Sequence, residues 1–263
     1  MNSVNKPPIL EHKYYSAPSV FLPENLLREA RRQKNISNCK VPEICVLDPD
    51  GDLAAWLLQT GEATLNECWA CYHSKMFTIK VDDISIGIIP CIVGSSYAVL
   101  VAEQLFVSGC HQLISVTSAG ILKHTAFNKR FALITEAIRD EGTSYHYLPP
   151  NALAQLPQTL YKQLAVDSKD SLCPYFEAKS WTTDAPYRET QLAIAAMESQ
   201  NICCVEMEAA ALYAFATAKQ RNVICFAHLT NTMAQAEGDF EKGEHFGSVD
   251  TLNLLSYLLK QIL

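Results

Sequence analysis

Short apolar runs alternate with longer amphipathic stretches along most of this chain. "ICVL" (44–47) has the length and unbroken hydrophobicity of a buried strand, and "DLAAWLLQTG" (52–61) predicts a helix stopped by Gly61. "MFTIKV" (76–81) and "ISIGIIPC" (84–91) predict paired strands joined at Asp82-Asp83. "SSYAVLVAEQLFVSG" (95–109) predicts a helix opened by serine and closed by Gly109. "QLISVTSAG" (112–120), "RFALITEAI" (130–138), "NICCVE" (201–206) and "VICFAHLT" (223–230) predict strands; 150–168, 186–199 and 207–221 predict helices. In a last helix over 248–262, Val249, Leu252, Leu255, Leu259 and Ile262 share one stripe. Strand–helix alternation at this spacing predicts an α/β layer architecture around one sheet, undivided by any linker. Residues 1–263 are read as one domain, with 1–38 as an N-terminal arm and helix.

Composition supports a large core and removes several function classes. The 263 residues are 49% hydrophobic and 19% charged, and no Gly/Ser, Gln or Pro tract marks disorder beyond the first dozen residues. Net charge is −7, and the only basic cluster is "REARRQK" (28–34), which disfavours a nucleic-acid binder. No apolar run reaches membrane-spanning length and "MNSVNKPPILEHK" does not read as a signal peptide, so the expected location is the cytoplasm, with no membrane partner. Ten cysteines are dispersed, several inside apolar strands (Cys45, Cys91, Cys203, Cys204, Cys225), which predicts free buried thiols in a reducing compartment. Cys68 and Cys71 form a lone C-x-x-C without the second pair a zinc site wants; packing is favoured over metal or redox work. The seven histidines show no metal-ligand spacing, so no metal is expected.

Ligands of open α/β sheets collect beyond strand carboxyl ends. That rule selects 48–52, 92–96, 117–121, 138–146, 205–208 and 230–239. At 204–213, "CVEMEAAALY", Glu206 and Glu208 bracket Met207 where a strand runs into a helix. One carboxylate in a first helical turn is worth roughly 0.3–1 kcal/mol of dipole stabilisation. A second, ending an apolar strand, can instead accept hydrogen bonds from the hydroxyls of a sugar. Gly94, Ser95 and Ser96 open a helix whose free N–H groups suit an anion, although these residues taken alone favour a plain serine cap with a glycine turn. "SVTSAG" ends a strand with hydroxyls and a glycine. "RDEGTSYHY" (139–147) crowds Arg139, His146 and two tyrosines into a stretch suited to a site or a subunit contact. In "WTTDAPYRET" (181–190), read as a loop ending in a helix, Tyr187 and Arg188 can meet a planar base. Asn231 follows a strand with an amide that can pair a base edge.

Together, "VEMEAAALYA", "AIRDEGTSYHYLPP", "TTDAPYRET" and "VGSSYAVLVAEQLFVSGCHQLISVTSAG" resemble the nucleoside phosphorylase superfamily over residues 40–262, closest to its uridine phosphorylase and hexameric purine nucleoside phosphorylase branch. The resemblance implies a three-layer α/β/α sandwich with a central mixed, partly barrel-like sheet, and homodimers or hexamers. It implies cleavage of a nucleoside's N-glycosidic bond with inorganic phosphate as co-substrate and no other cofactor. Carried onto this sequence, Glu208 grips the ribose 2′- and 3′-hydroxyls, Met207 lines the sugar and Glu206 supports the site. Ser118 and His12 also fall on the ribose side. Gly94, Ser95, Ser118 and Arg139 fall at phosphate. Thr182, Thr183, Tyr187, Arg188 and Asn231 fall around the base, with Arg188 and Asn231 stabilising its departure.

The chain departs from the family pattern at its cations. Gly51 or Asp52 stands where an arginine is usual after the first strand, Ser115 where a second is usual, and only His73 or Lys75 near a third, which a neighbouring subunit donates. Arg139, Arg188 or Lys75 are the candidate replacements. Asn231 stands where the purine enzymes carry an acid, and is similar to the asparagine of the trimeric purine phosphorylases. The base is therefore left as uracil or a purine. Three activities stay open: phosphorolysis; hydrolysis on the same fold, since some members lack these arginines; and non-catalytic nucleoside binding or storage, as in some plant relatives.

Overall fold

The computed structural model describes residues 7–122, 130–151, 153–164, 172–230 and 242–263. After an exposed arm comes α1 (Pro23–Lys34), then β1 (Ile44–Asp48), α2 (Asp52–Thr60), β2 (Thr64–Leu65), β3 (Phe77–Val81), β4 (Ile84–Pro90) and α3 (Ser95–Val107). Next come β5 (Gln112–Ile121), β6 (Phe131–Asp140), β7 (Leu153–Gln155), α4 (Gln158–Leu164), β8 (Tyr175–Thr183) and α5 (Gln191–Ser199). The chain closes with β9 (Cys204–Glu206), α6 (Ala209–Lys219), β10 (Asn222–Leu229) and α7 (Ser248–Ile262).

One mixed sheet holds the strands. It runs β10-β6-β8-β9-β5-β1-β4-β3-β2, and an added β10–β5 pairing closes five of these strands into a barrel-like ring. β1 lies parallel between β4 and β5, and β5 is also parallel to β10, so the carboxyl ends of these four strands converge. Helices cover both faces: α3 packs on α1 and α6, while α7 packs on α2 and α4. The expected three-layer arrangement with a partly barrel-like sheet is therefore the one observed. Continuous apolar runs explain it: every residue of β1 is buried, and α6 is buried from Ala209 to Ala216. Alanines let α6 approach the sheet closely.

Local signals set most boundaries. Asp82 and Asp83 both adopt left-handed backbone (φ 48° and 65°), the geometry of a two-residue hairpin turn. Gly61 ends α2 in the left-handed region, as expected.

Five expectations are corrected. The stretch 150–168 is no single helix: β7 pairs antiparallel with β6, and α4 begins only after Pro157. β8 has no counterpart in the sequence reading, because Glu177 and Lys179 face outward and break its apolar run. In 186–199, residues Pro186–Arg188 form a single 3-10 turn; α5 starts at Gln191, where the Thr190 side chain accepts from Ala193 N–H. The buried stripe of α7 is Thr251, Leu254, Leu255, Leu258 and Leu259, rotated from the anticipated one. Cys68 is not a free thiol: it is disulfide-bonded to Cys39, 29 residues earlier, with Cα atoms 5.4 Å apart. The other eight cysteines are free, and only Cys91 among them is exposed.

Candidate active site

The β9–α6 junction separates the two glutamates. Glu206 ends β9, and all four of its hydrogen bonds come from the chain. Its Oε1 accepts from Ser180 Oγ (2.9 Å) and Thr182 Oγ1 (2.5 Å), its Oε2 from the N–H groups of Glu208 (2.8 Å) and Ala209 (2.7 Å). Thr182 Oγ1 accepts from Ala210 N–H at 3.0 Å. The first N–H groups of α6 are thus satisfied by a carboxylate and the hydroxyl it orients, a buried helix cap. Burial pushes the Glu206 carboxyl up, against the pull of these four bonds.

Glu208 is different. It is 1% exposed, and its Oε1 accepts one bond, from Gly94 N–H at 2.6 Å. Its Oε2 is buried and has no hydrogen-bond partner. Burial, then the charge of Glu206, push its carboxyl up to about 8, while Gly94, Thr117 and Met207 pull it back. A buried carboxyl oxygen with unused lone pairs is costly, and such perturbed groups concentrate at functional sites. Ser95 Oγ donates to Met207 O at 2.7 Å and ties the start of α3 to the junction. Gly94 sits at φ 92°, ψ 148°, a conformation only glycine adopts readily, and this aims its N–H at Glu208.

Ser118 lies at the end of β5. Its N–H donates to Asp50 Oδ2 (3.1 Å) and its hydroxyl to Asp50 Oδ1 (3.0 Å). Lys242 Nζ lies 3.4 Å from Asp50 and 2.6 Å from Asp52. His228, opposite Ser118 on β10, is 5% exposed, and burial draws its imidazole down to about 4, which keeps it neutral at pH 7. Its Nε2 has no hydrogen-bond partner. Asp50, Asp52, Ser118, His228, Lys242 and Thr251 line one small cavity of about 20 Å³.

The expected cation replacements lie elsewhere. Arg139 is 4% exposed, and its guanidinium donates to Ser144 Oγ (2.8 Å), Pro149 O (2.6 Å) and Leu148 O (3.1 Å) while packing on Tyr145. It clamps the loop after β6 and is not free for phosphate. Gly51 is left-handed (φ 83°), and a Cβ there would stand 2.8 Å from Cys91 Sγ, so a larger side chain has no room. Ser115 is buried in β5. His73 and Lys75 are exposed between β2 and β3.

Of the base-side residues, Thr182 is engaged with Glu206, and Thr183 Oγ1 accepts from Ala185 N–H at 3.2 Å. Tyr187 is 99% exposed and Arg188 is exposed on the same turn. His12 is exposed on the arm, next to Lys13, whose Nζ is 3.0 Å from His146 Nδ1. Asn231 lies outside the described residues. The structure therefore unites Gly94, Ser95, Met207, Glu208, Glu206 and Thr182; Arg139 stands opposite Thr182 in the β6–β8 register with its guanidinium turned to the loop after β6, and Tyr187, Arg188 and His12 are exposed. Sequence reasoning missed Asp50, Ser180, His228 and Lys242. Only the strand-end rule, which selected 48–52, touched one of them. Among the described residues, no cluster of His, Cys, Asp and Glu forms a metal site, and no helix is long and apolar enough to cross a membrane.

The family model of the phosphorylase superfamily matches residues 43–256. No curated protein matches the chain. Among solved structures, uridine phosphorylase from Vibrio fischeri ES114, complexed with 6-hydroxy-1-naphthoic acid, is similar at 17% identity and a TM-score of 0.68, covering 87% of this chain and 94% of that one. Purine nucleoside phosphorylase from Toxoplasma gondii, in complex with immucillin-H, is similar at 17% identity and a TM-score of 0.68, covering 84% and 93%. At such identity these likenesses establish the fold.

Proposed function

Because this chain belongs to the phosphorylase superfamily, we propose that it cleaves the N-glycosidic bond of a ribonucleoside whose base is uracil or a purine. The observation that carries this is the buried, unpartnered Oε2 of Glu208 beside the Gly94 turn. Ionised Glu208 can accept from the two cis hydroxyls of ribose, one on each oxygen, with Gly94 N–H holding it in place. Glu206 does not contact substrate in this reading; it fixes the backbone on which Glu208 stands.

The sugar clamp supplies orientation. With ribose held, the C1′–N bond stretches and its electron pair leaves with the base. The anomeric carbon, oxocarbenium-like, is met by an oxygen nucleophile. Arg188 and Asn231 are the residues proposed to stabilise charge on the departing base. A panel of uridine, inosine, guanosine and adenosine, read for free base by chromatography, tests the proposal. Turnover of one of them, abolished in Glu208→Ala, is expected. No turnover of any, or an active Glu208→Ala, would remove it.

A further inference from the structure

Two of the four residues that the family resemblance assigns to phosphate, Gly94 and Ser118, donate to carboxylates of the chain itself; Ser95 and Arg139 are taken by carbonyls and a hydroxyl. Gly94 N–H donates to Glu208. The N–H and hydroxyl of Ser118 both donate to Asp50, one to each oxygen, as they would to two oxygens of a bound anion. β1 and β5 are adjacent and parallel, so the turn after β1 delivers Asp50 to the end of β5. That turn is fixed: Asp48 Oδ1 accepts from Gly51 N–H (3.2 Å), its Oδ2 from Ala54 N–H (2.9 Å), and the sulfur of Cys91 closes over Gly51.

Charge and space agree. The positive charge of Lys242 is shared between Asp50 and Asp52, and His228 on the same cavity is neutral. A phosphate arriving here would lose the Ser118 donors and meet two carboxylates. The cavity left beside them is about 20 Å³. A water needs roughly 10–15 Å³ of such space and two or more polar partners. The unpartnered His228 Nε2 on its wall is one such partner.

We propose that Asp50 is a built-in anion that fills the phosphate seat at Ser118, so that water, not phosphate, is the acceptor in nucleoside cleavage. The inference rests on the nucleoside reading for its chemistry. Water oxygen bonds to C1′ as the C1′–N bond breaks. One water proton is released and the base nitrogen gains one, giving ribose and free base with no other reactant.

Inorganic phosphate is the probe. Thermal unfolding and ³¹P line broadening are followed for the wild type, Ser118→Ala, Asp50→Ser, Asp50→Asn and Asp50→Ser/Ser118→Ala, at ionic strength matched with chloride. The wild type is expected to show no phosphate-specific response. Either single variant, opened and less negative, should bind phosphate roughly tenfold tighter or more, and Ser118→Ala should cancel the gain. Two independent single variants keep the test valid if one fails to fold. Phosphate binding by the wild type that Ser118→Ala abolishes would overturn the proposal, as would single variants that gain nothing. These arms need no turnover, so a chain that cleaves no nucleoside fails the nucleoside reading while the seat is still decided. Where a nucleoside is cleaved, ribose as the only sugar product, at a rate indifferent to phosphate, is expected; ribose 1-phosphate contradicts it.

Discussion

Glu208→Gln is expected to make the protein more stable while removing its activity. Burial holds the wild-type carboxyl near 8 in the folded state, against 4.5 for an unperturbed glutamate. The sign follows from proton counting. Between pH 4.5 and 8 the unfolded chain has released this proton and the folded chain keeps it, so folding loses stability as pH rises through that window. Each pH unit in the window is worth about 1.4 kcal/mol, giving a penalty of about 3 kcal/mol at pH 7 and about 1 kcal/mol at pH 5. Glutamine is neutral in both states, can keep the Gly94 bond through its own oxygen, and abolishes the penalty. Urea unfolding at pH 5 and pH 7, with slopes compared to confirm two-state behaviour, reads the difference. The variant should gain more at pH 7 than at pH 5. Turnover should fall roughly hundredfold, because a carboxyl that can ionise when two hydroxyl donors arrive is replaced by an amide that cannot. A variant less stable than wild type at pH 7, or a gain independent of pH, would show that Glu208 carries no buried-proton penalty. Such a trade of stability against activity is common where a site is built from strained or buried groups.

Two further outcomes follow from the same geometry. Glu206→Ala strands four buried donors and uncaps α6, so it should lower unfolding free energy by about 4 kcal/mol, seen as a lower urea midpoint; a loss under 1 kcal/mol would reassign Glu206 from brace to ligand contact. His228 is held near 4 against an ordinary 6.5, so the unfolded chain takes its proton first and stability should fall as pH drops from 6.5 to 4; His228→Gln should flatten that part of the profile, and an unchanged profile would show the imidazole to be solvated.

The sequence was most legible where burial is continuous. β1, β4, β5 and β10 are strands with apolar runs on both faces, and periodicity finds them without help from their neighbours. β8 escapes because its outward Glu177 and Lys179 make half the strand read as loop, although the other half carries Ser180 and Thr182 to Glu206. Glu206 and Glu208 are equivalent as letters. Only the hydrogen bonds that the fold gives each, four to Glu206 and one to Glu208 with its buried Oε2 left over, tell the brace from the unsatisfied acceptor. Ser118 read as a ligand donor because a hydroxyl at a strand end has unspecified partners in one dimension. The carboxylate that takes it lies 68 residues earlier, and strand adjacency alone brings the two together. Likewise Arg139 reads as a free cation until the carbonyls of Leu148 and Pro149 turn back upon it.

The measurement that bears most directly on the ribose clamp is nucleoside cleavage by wild type and Glu208→Gln, with base and sugar products both quantified. Free base and free ribose in equal amounts are expected from the wild type, and roughly hundredfold less of both from the variant. Equal rates for the two proteins, or no release of base from any nucleoside, would contradict the clamp.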